Sequence, residues 1–264
     1  MYGKVVVEGS GPAVVMAHGT MMDHSMFMPQ VSALKDRYRV VSYDQRARTP
    51  AYDTPYFLRD LAEDCRALLD DLGIGKCVLL GMSMGGFMAT EFIRLYPDRV
   101  NALVFVGSQI GTYSESEQAA RLIEFQKFDH DGTVSLPLAR QTASYIFGRH
   151  TLQDKADTVD HWAHRWAELP ARSVLREAES WLGKADYTAV ARRFEKPVLV
   201  IHGEDDAVLP VDEKTGAMER AFTNVEVVRI PRSGHVVNLE APVRTNEVLS
   251  TFLDRLKDEG KLSL

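Results

Sequence analysis

The sequence predicts an α/β fold: a mostly parallel twisted sheet with helices on both faces. Three observations predict it. Short apolar runs alternate with longer stretches of helical periodicity along most of the chain. One such run, Cys77 to Leu80, passes directly into a helical pattern through Gly81-Met82-Ser83-Met84-Gly85. A single stretch, from about Gly107 to Val190, breaks the alternation with helical patterns alone.

In chain order, Lys4 to Val7 and Ala13 to Ala17 read as strands around the turn Glu8-Gly9-Ser10-Gly11-Pro12. A helix is expected near Met26 to Leu34, then a strand over Arg39 to Tyr43. Phe57 to Leu72 reads as an amphipathic helix: Pro55 stands where a first turn accepts it, and Leu58, Leu61, Cys65, Leu68, Leu69 and Leu72 share one face. After the strand Cys77 to Leu80, the apolar residues Phe87, Met88, Phe92, Ile93 and Leu95 recur at helical spacing until Pro97. Strands follow at Ala102 to Val106, Val198 to Ile201 and Val225 to Ile230, and helices near Asp212 to Phe222 and Pro242 to Leu256.

Four helical patterns fill the interruption: Ser116 to Phe128, Val134 to Phe147, Leu152 to Glu168 and Ala171 to Leu182. Residues 1–107 and 191–264 are thus expected to form the core domain. Residues 108–190 form a helical cap inserted after the strand ending near Val106, above the strand ends where parallel sheets bind ligands. Trp162 and Trp166, one turn apart, either line a pocket beneath this cap or glue it to the core.

Composition excludes several classes. The chain has 264 residues, 45% of them hydrophobic and 26% charged, enough for one large domain or a core with an insertion. A net charge of -6, with no Lys/Arg run, argues against nucleic acid. Cys65 and Cys77 read as core thiols. No secretory signal is apparent in residues 1–15, and no apolar run approaches the ~18 residues that cross a bilayer. A cytoplasmic protein without membrane partner is expected, with oligomeric state open, a homo-oligomer included.

The strand-to-helix corner projects Ser83 above the sheet at the positive end of a helix, and Gly81 and Gly85 let the two elements close beneath it. A hydroxyl needs a base, an orienting carboxylate and oxyanion donors before it can act as a nucleophile. His235 follows the last strand through Gly234 and is the expected base. His18 and His202, each before a glycine, read as structural. Glu204, Asp205 and Asp206 follow the strand Val198 to Ile201; Glu204 reads as solvated, and local chemistry does not separate Asp205 from Asp206. Backbone N–H groups of Met84 and of Thr20, in the loop after Ala13 to Ala17, are the expected oxyanion donors. Met21 and Met22, with Val208 and Val236 beside the acid and the base, are candidates for an adaptable apolar pocket. Arg46, Arg48 and Arg149 are candidates for a carboxylate clamp, with solvated surface the simpler reading. His161 and His164 are one turn apart but lack further metal ligands, so no metal and no organic cofactor are expected.

These motifs together resemble the α/β-hydrolase fold, nearly end to end. They are His18-Gly19, Gly81-Met82-Ser83-Met84-Gly85-Gly86, Tyr96-Pro97-Asp98-Arg99-Val100, the loop Gly203 to Pro210, and Gly234-His235 with Asn238-Leu239-Glu240-Ala241-Pro242. The resemblance implies the order Ser83, Asp206, His235 for the triad, choosing Asp206 over Asp205. It is strongest to small bacterial esterases, perhydrolases and 3-oxoadipate enol-lactonases. Where many relatives carry Asp-x-Arg-Gly-x-Gly-x-Ser, this chain has Asp44-Gln45-Arg46-Ala47-Arg48-Thr49-Pro50. The implied function is a serine hydrolase acting on a small-molecule ester or lactone. Carbon-carbon cleavage of a β-diketone-like substrate, peracid formation by the same triad, and a non-catalytic binding scaffold are the alternatives.

Overall fold

The computed structural model describes residues 2–262. Its strands are β1 (Val5–Glu8), β2 (Ala13–Ala17), β3 (Arg39–Tyr43), β4 (Cys77–Met82), β5 (Val100–Val106), β6 (Val198–Gly203) and β7 (Val225–Ile230). They form one sheet in the order β1-β3-β2-β4-β5-β6-β7. Only β1 runs antiparallel, against β3; every other neighbour is parallel.

The helices are α1 (Met28–Leu34), α2 (Leu58–Asp71), α3 (Met84–Leu95), α4 (Glu115–Gln126), α5 (Leu136–Ile146), α6 (Arg149–Asp154), α7 (Ala156–Ala167), α8 (Ala171–Leu182), α9 (Thr188–Arg193), α10 (Val211–Ala221), α11 (Val237–Glu240) and α12 (Pro242–Asp258). The stretch expected as one helix, Leu152 to Glu168, is divided: the backbone leaves helical geometry at Lys155 (φ -133°, ψ 48°), whose ammonium is drawn to Glu240 O at 2.5 Å.

Side chains alternate across the strands, which divides the core in two. Val15, Tyr43, Leu79, Leu103, Phe105 and Val200 pack on one face with residues of α2, α3 and α10, such as Leu61, Phe92 and Met218. Val14, Val40, Leu80, Val104 and Ile201 pack on the other with residues of α1 and α12, such as Leu34, Leu249 and Phe252. Because both faces are covered, the central strands are apolar throughout rather than alternating. The chain steps from β2 outward to β3, then back across β2 to β4. The crevice beyond the carboxyl ends of β2 and β4 lies at this reversal, the usual ligand position in open α/β sheets. Ala17 and Gly81 are register partners, so the turn after β2 and the corner after β4 stand side by side.

Candidate active site

Ser83 sits between β4 and α3 with φ 49° and ψ -115°, a conformation that costs an L-residue about 1–3 kcal/mol. The fold holds it there from several directions. Ser83 N donates to Val106 O at 3.0 Å, while its carbonyl accepts from Gly86 N at 2.8 Å and Ser108 Oγ at 2.9 Å. Small residues are obligatory beneath it: a Cβ on Gly81 would lie 2.3 Å from Gly85 O, and one on Gly85 would lie 2.1 Å from Ala17 O.

The loop after β7 brings His235 to this corner, with Nε2 2.9 Å from Ser83 Oγ. On the other side of the ring, Nδ1 stands 2.9 Å from Asp206 Oδ2. The second carboxylate oxygen of Asp206 accepts from Val208 N and Leu209 N, both at 2.8 Å. Asp206 is buried. Burial alone would raise its carboxyl, but the adjacent His235 and His202 rings hold it well below the usual carboxylate range. Asp205 faces away, 3.5 Å from Arg149, and Glu204 is exposed. The two histidines read as structural are buried and hydrogen-bonded to backbone: His18 to Gly19 O and Gln45 N, and His202 to Leu209 O at 2.9 Å, with Nε2 also 3.0 Å from Asp206 Oδ2.

Two further anchors were not legible in the sequence. Glu240 is buried and bridges the loop of His235 to the junction of α5 and α6: it accepts Gly234 N at 3.0 Å and Gly148 N at 2.8 Å. His235 N itself donates to Ile146 O at 3.1 Å. Glu177 of α8 pairs with Arg48 at 2.7 Å, with side-chain exposures of 0% and 6%. Burial raises the Glu177 carboxyl, and Arg48 and the Met21 N–H oppose that rise. Arg48 is therefore committed inside the protein and is neither a surface group nor a free clamp.

Above Ser83 opens a cavity of about 680 Å³ with a mostly apolar lining. Met21, Met22, Val208 and Val236 lie in that lining, as does Thr20. Trp162 and Trp166 do not. Both are buried on one face of α7, tilted against each other at 6.3 Å, with Trp166 stacked on Phe147 at 6.2 Å. Their spacing of one helical turn makes a packing face, and that face is spent within the core on the α1 and α12 side of the sheet. The tryptophan that reaches the cavity is Trp181 of α8, whose Nε1 donates to Thr20 Oγ1 at 3.0 Å. Thr20 N and Met84 N have no backbone acceptor among the described residues; Met84 N belongs to the first turn of α3, where helices leave N–H groups unpaired.

Asp23, His24 and Asp44 have ligand atoms within 4.8 Å of one another, but each already has partners. Asp23 bonds Ser25 and Arg165, and Asp44 accepts His24 N and Nδ1, ties that fix the segment after β2 against β3. His161 and His164 engage Trp162 and Asp160 O.

The sheet order, the strained serine corner and the loops after β6 and β7 define a hydrolase of the α/β class. Residues 12–242 match the family defined by the α/β hydrolase fold, and the chain belongs to that family. Among curated relatives, it is 27% identical over 251 residues to 3-oxoadipate enol-lactonase 2 of Acinetobacter baylyi, covering 92% of this chain and 89% of that protein. It is 25% identical over 256 residues to 2-(acetamidomethylene)succinate hydrolase of Mesorhizobium japonicum, covering 94% and 90%. Among solved structures, a thermophilic esterase from Thermogutta terrifontis, with malate bound, superposes with a TM-score of 0.89 at 25% identity, covering 96% of this chain and 93% of that one.

Proposed function

We infer that this protein is a serine hydrolase that cleaves an ester or lactone of a small, mostly apolar acyl compound through a covalent acyl-enzyme. The observation that carries this reading is the unbroken sequence of contacts from Ser83 Oγ through His235 to Asp206, both at 2.9 Å, at the floor of an apolar cavity.

In this reading His235 Nε2 takes the Ser83 proton as Oγ attacks the carbonyl carbon. The Thr20 and Met84 N–H groups receive the oxyanion. The imidazolium then returns the proton to the departing alkoxide, which in a lactone stays attached to the acyl chain. Water, deprotonated by His235, releases the acid and restores Ser83. Asp206, fixed by Val208 N and Leu209 N, holds the ring in the tautomer this sequence requires.

Residues 108–190 act as the cap. Phe125, Leu138, Tyr145 and Trp181, all from that segment, line the cavity, which supports a role in choosing the acyl group. The lactonase and esterase relatives support the ester or lactone bond as the target.

The test is hydrolysis of p-nitrophenyl esters of increasing chain length, and of simple lactones, by wild type and Ser83→Ala. Wild-type turnover with a loss of ~10,000-fold or more in the variant is expected. A Ser83→Ala enzyme as active as wild type would remove the serine mechanism.

A further inference from the structure

The turn after β2 is a strained one. Met22 N donates to Gly19 O at 3.1 Å, closing a four-residue turn, and Met21 at its third position has φ 64°. Thr20, at the second position, is not among the residues with positive φ. That combination is a type II turn, in which the third position normally belongs to glycine or asparagine. Methionine brings no local hydrogen bond to hold it. Rotating the peptide between Thr20 and Met21 would relieve the strain, so something outside the turn must favour the strained form.

That restraint comes from α8. Glu177 Oε2 accepts Met21 N at 2.9 Å, the N–H of the very peptide that would rotate. Arg48 Nη2 donates to the same oxygen at 2.7 Å, and its Nε donates to Met22 O at 2.9 Å. Arg48 Nη1 adds Ser173 Oγ, also on α8, at 3.2 Å. The Trp181 bond to Thr20 Oγ1 comes from the same helix, one turn further on. The turn in question is pressed against the nucleophile: a Cβ on Gly19 would lie 3.1 Å from Ser83 Cβ. Oxyanion donors act only when held in place before reaction, and displacements near 1 Å cost about 100-fold.

We propose that Glu177, braced by Arg48, is a positioning residue for the oxyanion turn, so that α8 is part of the machinery that stabilises the transition state. This rests on the serine-hydrolase reading above. It also gives a role to Arg48, whose side chain ties its loop to α8 through Ser173 and Glu177.

The experiment compares two double variants, Arg48→Met with Glu177→Leu and Arg48→Met with Glu177→Gln. Both remove the buried ion pair together, which spares the fold an uncompensated buried charge. They differ in whether Met21 N retains an acceptor. Folding is checked by circular dichroism, and active sites are titrated with a fluorophosphonate. kcat and KM for p-nitrophenyl butyrate and the second-order rate of fluorophosphonate labelling are then measured per active site. The leucine variant is expected to lose about 10- to 100-fold in both kcat and labelling rate, with KM within threefold of wild type and with the glutamine variant recovering most of the loss. Equal rates in both variants, or a change confined to KM, would overturn the positioning role while leaving Ser83 as nucleophile. Failure of wild type itself to label at Ser83 would overturn the serine-hydrolase reading and this proposal with it.

Discussion

Asp206 presents one carboxylate oxygen to His235 Nδ1 at 2.9 Å and gives the other to two backbone N–H groups of its own loop. The acid is therefore oriented by the backbone before it orients the histidine. Asn at 206 would preserve size but put a donor where an acceptor is required, favouring the wrong imidazole tautomer. Asp206→Asn is expected to lower kcat by ~10,000-fold. Asp205→Asn, whose carboxylate faces Arg149, is expected to stay within twofold. Steady-state kinetics on one ester separates the two.

Glu240 satisfies two buried N–H groups, Gly234 N in the His235 loop and Gly148 N between α5 and α6. Glu240→Ala would leave both unpaired, at roughly 1–3 kcal/mol each. A fall in the urea midpoint and a smaller fraction of titratable active sites are expected. An unchanged midpoint would mean that water replaces the carboxylate without loss.

Lys184 is buried with no hydrogen-bond partner for its ammonium among the described residues, 4.8 Å from the centre of the Phe87 ring and 5.1 Å from that of Tyr113. Burial pushes its pKa down to about 7 from 10.5. The unfolded chain therefore binds a proton that the folded chain gives up between those values, and stability rises with pH from about 7 to 10.5. Lys184→Met is expected to stabilise the protein at pH 7 by roughly 2–4 kcal/mol, the gain shrinking toward pH 10. Thermal melts across this range give the comparison.

His18 receives Gln45 N at Nε2 and turns Nδ1 to Gly19 O, at the start of the turn after β2. Burial, reinforced by Arg48, lowers its pKa to about 4 from 6.5. The folded protein keeps the ring neutral where the unfolded chain is protonated, so this contribution is complete above pH 6.5 and is lost as pH falls toward 4. The loss approaches ~1.4 kcal/mol per pH unit. Imidazole chemical shifts followed by NMR should place the His18 titration near 4; a midpoint near 6.5 would refute it.

The strands and most helices were legible because burial on both faces writes itself as continuous apolar runs, and amphipathic helices write their own period. The serine corner was legible for a different reason: only glycine survives the approaches at positions 81 and 85, so the constraint appears as residue identity. That Asp206 and not Asp205 lies beside His235 was readable only through family resemblance, since adjacent acids differ in where the loop turns them. Trp162 and Trp166 announced a buried helix face without saying which surface would cover it. Trp181 had no signal separating it from them. Glu177 lies 129 residues from Arg48 and 156 from Met21, and the tertiary fold alone makes them neighbours.

Whether Ser83 is the nucleophile is read out by mass spectrometry of the protein after fluorophosphonate treatment. A single adduct is expected on the peptide containing Ser83, formed rapidly in wild type and at least ~1,000-fold more slowly in His235→Ala. A folded wild type with no adduct, or with the adduct on another residue, would contradict it.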